Sequence, residues 1–131
     1  MIKPIDAKIL VVEDLSDMRD IVRRLLGVLG YDKVTTATNG FEAWEQLKVD
    51  RFDLVLCDWN MPKMSGRELL EKVRSTPELN HLPFIMITGE TASDRVKNAI
   101  SGGVTDFIVK PFTGSLLEHR MQLALEQARP H

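Results

Sequence analysis

Five side chains in this sequence could do chemistry together: the adjacent acids Glu13 and Asp14, then Asp58, Thr88 and Lys110. Each stands at the end of a short apolar run. "KILVV" leads into Glu13-Asp14, "FDLVLCD" closes on Asp58, "LPFIMIT" on Thr88 and "DFIVK" on Lys110. Any one of them alone reads as a solvated loop residue; together their charges and donors complement one another. Three carboxylates sharing a partly desolvated cleft repel. A divalent cation offsets two of those charges and Lys110 the third. Hard oxygen donors with room for water suit Mg²⁺ better than Zn²⁺. His81, His119 and His131 lie far in sequence from these run ends, which leaves zinc without ligands. A carboxylate beside such a cation and a fixed ammonium can attack phosphorus and form an aspartyl-phosphate. Asp58, the lone acid at the end of the run that reads as the central strand, is the best-placed nucleophile. Glu13 and Asp14 then serve the metal, and Thr88 and Lys110 meet the phosphoryl oxygens after transfer.

The elements that must carry these residues follow from periodicity. Strands are expected over Lys8–Val12, Lys33–Ala37, Phe52–Asp58, Leu82–Thr88 and Asp106–Lys110, each short and mostly apolar or β-branched. The second, "KVTTA", is the least apolar and belongs near an edge. Between the strands, apolar residues recur at helical spacing. Met18, Ile21, Val22, Leu25, Leu26 and Leu29 form the first such stripe, with Ser16 as N-cap and Gly30 as stop. The second helix starts after Asn39-Gly40 and carries Ala43, Trp44 and Leu47. The third holds Leu69, Leu70 and Val73 and finishes by Pro77. A fourth is expected from about Ala92 to Ile100, ended by Gly102-Gly103, and the last carries Leu116, Leu117, Met121, Ala124 and Leu125. Five βα units in strict alternation require a parallel sheet covered on both faces. In such sheets ligands bind outside the carboxyl ends of the strands, where strand order reverses.

Bulk properties narrow the classes. The 131 residues make one domain (1–131, core about 7–127), 44% hydrophobic and 27% charged. A net charge of −2 argues against a nucleic-acid surface. No apolar stretch reaches the roughly 20 residues that span a bilayer, and the N-terminus lacks a signal-peptide pattern. A cytoplasmic protein without membrane or nucleic-acid partners is expected. The single cysteine, Cys57, excludes an internal disulfide and reads as a small core residue facing away from Asp58.

The chain resembles a response-regulator receiver domain, specifically the stand-alone chemotaxis type. The motifs that carry the likeness are "VVED", "CDWNMPKMSG", "MITGE" and "DFIVKPFT", in order across nearly the whole chain. The resemblance implies a doubly wound, flavodoxin-like (βα)5 fold with sheet order 2-1-3-4-5. It also implies phosphotransfer from a sensor histidine kinase, or a histidine phosphotransfer protein, onto Asp58. By position, Glu13, Asp14, Asp58 and the backbone carbonyl of Asn60 would hold Mg²⁺, with Mn²⁺ able to substitute. Thr88 would be the switch hydroxyl and Phe107 the switch aromatic, while Lys110 would pair with the phosphoryl group across a cis Lys110-Pro111 bond. Asn60 and Glu90 sit where receivers tune phosphoryl lifetime, and both favour a short-lived state. A downstream protein would dock on the face of the fourth helix, fifth strand and fifth helix, with the regulator a monomer.

Two positions depart from the chemotaxis pattern. Glu13 stands where Asp is usual, which routes its metal contact through water, and Phe107 replaces Tyr, which keeps the ring and loses the hydroxyl. Phe107 also reads as ordinary core. The expected function is a stand-alone phospho-switch and not an enzyme acting on external substrates. The alternative is a phosphorelay intermediate that passes its phosphoryl group to a histidine phosphotransfer protein. With no output domain after Leu125, a transcription factor is not expected. An aspartate-nucleophile phosphatase would need a second acid where Asn60 stands, and "EDLSD" would repel the phosphate of a flavin carrier.

Overall fold

The structure is a computed structural model that describes residues 2–59, 63–89 and 103–127. The expected helix at about Ala92–Ile100 lies outside the described residues, as do Asn60, Pro62 and Glu90. Five strands alternate with four described helices: β1 (Lys8–Val12), α1 (Ser16–Val28), β2 (Lys33–Ala37), α2 (Gly40–Val49), β3 (Leu54–Asp58), α3 (Gly66–Ser75), β4 (Phe84–Thr88), β5 (Asp106–Val109) and α4 (Gly114–Gln127). A 3₁₀ turn at Pro4–Asp6 precedes β1. All neighbouring strands are parallel, in the order β2-β1-β3-β4-β5. That is the doubly wound order expected. β2 is an edge strand, as its weaker apolar character predicts.

The two-residue side-chain period of a strand divides the core in two. Ile9, Val11, Leu54, Leu56, Ile85, Ile87 and Ile108 face one way and pack under α1 and α4. Leu10, Val12, Val55, Cys57, Phe84 and Met86 face the other way and pack under α2 and α3. β3 and β4 are buried along their whole length, which is why they read as continuous apolar runs. They begin two residues later than their runs do. Phe52, Leu82 and Pro83 are buried in the approaches without extending the strands.

Two expectations about α1 need correction. Ser16 is the first helical residue; the N-cap is Leu15, and no side chain caps it. The acids just before it are turned toward the strand ends instead. Ile21 belongs to the apolar repeat but is exposed, because Val22 and Leu26 point into the core and Met18, Leu25 and Leu29 complete its stripe. Gly30 does close the helix, with φ +96°, a conformation that costs glycine little. Asn39 accepts from the Glu42 amide as the N-cap of α2.

Tyr31 is buried beneath α1 and α4 with 2% of its surface exposed, and its hydroxyl has no hydrogen-bond partner among the described residues. Burial, followed by the charge of Glu118, pushes its phenol pKa up. The folded state therefore holds this proton more tightly than the unfolded chain. The resulting stability is complete below pH 10 and is lost as pH rises through the folded value. Tyr31→Phe removes an orphaned donor, whose burial costs about 1 kcal/mol or more. We expect urea unfolding at neutral pH to show the variant at least as stable as wild type, with a shallower alkaline loss.

Candidate functional site

The carboxyl edge of the sheet is built by backbone hydrogen bonds that continue the ladder past the strands. Glu13 N donates to Ala37 O (3.0 Å), Trp59 N to Ile87 O (3.0 Å) and Lys110 N to Thr88 O (2.7 Å). Every candidate residue on this edge is thus fixed through its own or its neighbour's peptide. Glu13 and Asp14 follow β1, Asp58 and Thr88 are the last residues of β3 and β4, and Lys110 follows β5.

Glu13, Asp14 and Asp58 each place a carboxylate oxygen within 4.8 Å of the others. Glu13, Asp58 and Thr88 are buried, at 3%, 9% and 5% exposure. Lys110 Nζ lies 3.0 Å from Glu13 Oε1 and 3.8 Å from Asp58 Oδ1. Its tighter partner is therefore Glu13, whose second oxygen also accepts a long bond from Leu15 N (3.4 Å). Three carboxylates against one ammonium leave an excess of two negative charges. Burial, the contact with Glu13 and its negative charge push the Asp14 carboxyl above its ordinary value, while Lys110 partly offsets them. All the donors are hard oxygens, two of the three acids are buried, and the net charge is −2. The set fits a divalent cation of the Mg²⁺ kind.

The start of α3 lies close against the end of β3. Lys63 and Met64 both have positive φ, +50° and +60°, a costly conformation for non-glycine residues. Ser65 then opens α3 with a capping box to Glu68. Gly66 explains the tightness: a Cβ there would lie 2.6 Å from the Asp58 carbonyl oxygen, 3.1 Å from Met86 Sδ and 3.2 Å from Trp59 Cα. Gly66 N also donates to Trp59 O (3.2 Å). From the other side, Gly40 packs onto the Met64 backbone too closely for any side chain. The close approach at Gly66 depends on a contact that no local sequence pattern encodes.

Thus Glu13, Asp14, Asp58, Thr88 and Lys110 share one edge, and the expected cis bond at Lys110-Pro111 is present. Asn60 and Glu90 lie outside the described residues. Phe107 is half-buried and packs against the α2–α3 core together with Trp44 and Trp59. Cys57 is fully buried on that same side, its Sγ donating to Asp58 O at 3.3 Å. Sequence reasoning passed over Arg19, whose guanidinium reaches back to the carbonyls of Glu13 and Asp14. Only its position one turn into α1 could have signalled it.

Comparison with known proteins gives a consistent answer. A family model described as the response regulator receiver domain matches residues 9–122. Chemotaxis protein CheY-3 of Vibrio cholerae is 43% identical over 120 residues, covering 92% of both chains. The crystal structure of chemotaxis response regulator CheY4 from Vibrio cholerae superposes with a TM-score of 0.83 at 35% identity, covering 90% of this chain and 98% of that one. The receiver domain of a sensor histidine kinase from Pseudomonas aeruginosa PAO1, solved with a magnesium ion in its active-site cleft, gives 0.85 at 26% identity, covering 92% and 98%.

Proposed function

Because the chain belongs to the response regulator receiver domain family, we propose that it is a stand-alone phospho-switch of the chemotaxis type, accepting a phosphoryl group on Asp58. The observation that carries this reading is the convergence of three carboxylates and Lys110 on one sheet edge. Glu13, Asp14 and Asp58 would hold Mg²⁺, with Asn60 adding its carbonyl and Mn²⁺ able to substitute. Bound there, the cation neutralises charge on the transferring group.

The chain's own residues do the rest. An Asp58 carboxylate oxygen attacks phosphorus of a phosphohistidine on a sensor kinase or phosphotransfer protein. The P–O bond forms as the P–N bond breaks, and the imidazole leaves. Lys110 pairs with a phosphoryl oxygen, and the Thr88 hydroxyl is drawn toward another. That movement, followed by Phe107, would alter the face of β5, α4 and the helix expected before β5, where a separate target docks. Asn60 and Glu90 set how quickly water removes the group. The relatives named for chemotaxis support a motility pathway. Likeness to receivers of histidine kinases favours a second reading, a relay to a phosphotransfer protein. In neither case is an external substrate turned over. Among the described residues no helix is long and apolar enough to cross a membrane. The reading takes the regulator as a cytoplasmic monomer without lipid or nucleic-acid partners.

Intact mass after incubation with acetyl phosphate is the test. A gain of one phosphoryl group in the presence of Mg²⁺, absent when the metal is chelated, is expected. If no adduct forms and beryllofluoride also fails to bind, the reading is wrong.

A further inference from the structure

Helix α1 starts without the usual device. Its N-cap is Leu15, which offers no side-chain acceptor, with Asp17 the acid of its first turn, and the acids just before it, Glu13 and Asp14, belong to the sheet-edge cluster. Their backbone carbonyls point elsewhere. Both accept from a single atom, Arg19 Nη1, at 2.9 Å from Glu13 O and 3.2 Å from Asp14 O. Arg19 is half-buried and forms no ion pair among the described residues. Its backbone N–H closes the first helical turn onto Leu15 O (2.9 Å), so the residue spans the corner from both its main chain and its side chain.

Two consecutive carbonyls gripped by one guanidinium fix two consecutive peptide planes. With Glu13 N already held by Ala37 O, the backbone from Glu13 to Leu15 has little freedom left. The directions in which the Glu13 and Asp14 side chains leave the chain follow from that. Arg19 grips the carbonyls and not the carboxylates, so the acid oxygens stay free to face a cation. A residue that neutralised the acids would weaken a cation site, whereas one that orients them strengthens it. We propose that Arg19 is a positioning residue for the divalent-cation site, holding the Glu13–Asp14 corner in its binding geometry from behind.

This inference rests on the reading of the acidic cluster as a Mg²⁺ site, and the test separates the two. Mg²⁺ is titrated into the whole chain and followed by fluorescence of Trp59, the neighbour of Asp58, alongside the melting temperature of the metal-free protein. Arg19→Met keeps the stem and removes the donor; it is expected to weaken Mg²⁺ binding about tenfold, the scale seen when outer-shell partners of metal ligands are lost. Arg19→Lys restores a charged donor and should recover most of the affinity, and Arg19→Gln, a neutral donor, part of it. Should Arg19→Met fail to fold, the ranking of wild type, Lys and Gln carries the same information. A Met variant that melts lower yet binds Mg²⁺ within twofold of wild type would reduce Arg19 to a helix brace and overturn the proposal. If wild type itself does not bind Mg²⁺, the cation reading fails first and this inference with it.

Discussion

Asp58→Asn is expected to abolish phosphoryl uptake and, at the same time, to raise the melting temperature of the metal-free protein. The loss follows from chemistry, since an amide oxygen is too weak a nucleophile to take the group, and Glu13 and Asp14 serve the metal. The gain follows from the charge balance. Three carboxylates have oxygens within 4.8 Å of each other. At an effective dielectric constant of about 20, full charges at such separations repel by roughly 3 kcal/mol or more, which solvent and counter-ions reduce. Lys110 returns part of this, but it sits nearer Glu13 than Asp58, 3.0 Å against 3.8 Å. Removing the Asp58 charge deletes two repulsions and only the weaker attraction. A net gain on the order of 1 kcal/mol is expected, which moves the melting point of a domain this size by about 4 °C. Added Mg²⁺ should reverse the ranking, because wild type gains binding energy that the variant has largely lost. Thermal melts of both proteins with and without the metal decide it; a variant that melts below wild type in the metal-free state would show the cluster to be stabilising.

The same logic gives Asp14 a pH signature. Its carboxyl is pushed up by burial and by Glu13, so the folded state binds this proton more tightly than the unfolded chain. The penalty for ionising it is present at neutral pH and disappears as pH falls through the raised value toward the ordinary one near 3.8. Repulsion around Asp14 therefore weighs on metal-free stability most in neutral buffer.

Gly66→Val is the second large effect, and here stability and function should fall together. The added carbons would meet the Asp58 carbonyl oxygen at 2.6 Å, an atom that cannot rotate away, with Met86 Sδ and Trp59 Cα just behind. Overpacking of this kind costs roughly 1–3 kcal/mol or more. The relief must come from moving either α3 or the peptide of Asp58, and the latter carries the nucleophile. Urea unfolding should show a loss of about 3 kcal/mol, and phosphoryl uptake by the fraction that remains folded should drop beyond what that loss explains. Gly114→Ala is the control. Its Cβ would meet only the flexible Cδ1 of Leu25, at 3.0 Å, so a small stability change and normal uptake are expected. Equal effects of the two substitutions would mean that the contact with Asp58 is not special.

What was legible in the sequence is what repeats. The alternation of apolar runs with helical stripes declared a parallel sheet, and runs as uniform as "LVLC" and "FIMI" declared its buried strands. Once the strands were placed, their carboxyl ends named the residues of the site without any knowledge of their contacts. The illegible features depend on pairings between distant residues. Ser16 looks like a cap, but nothing local reveals that Leu15 holds that position and that Arg19 reaches back past it. Ile21 fits a helical repeat that has one apolar residue more than the buried face can take. The narrowness at Gly66 and the orphaned hydroxyl of Tyr31 exist only once β3 meets α3 and α1 meets α4.

The hydrogen bond from Lys110 to Glu13 joins residues 97 positions apart, and β5 is the last strand in the chain and lies at the edge of the sheet. On a ribosome, the three acids are synthesised long before the ammonium that balances them. An emerging chain that has folded through β4 presents an uncompensated anionic cleft. Only when the final strand docks does it bring both the missing edge of the sheet and the missing charge. Docking of β5 and balancing of the site's charge are therefore one event, and a chain interrupted before Lys110 lacks the ammonium that balances it.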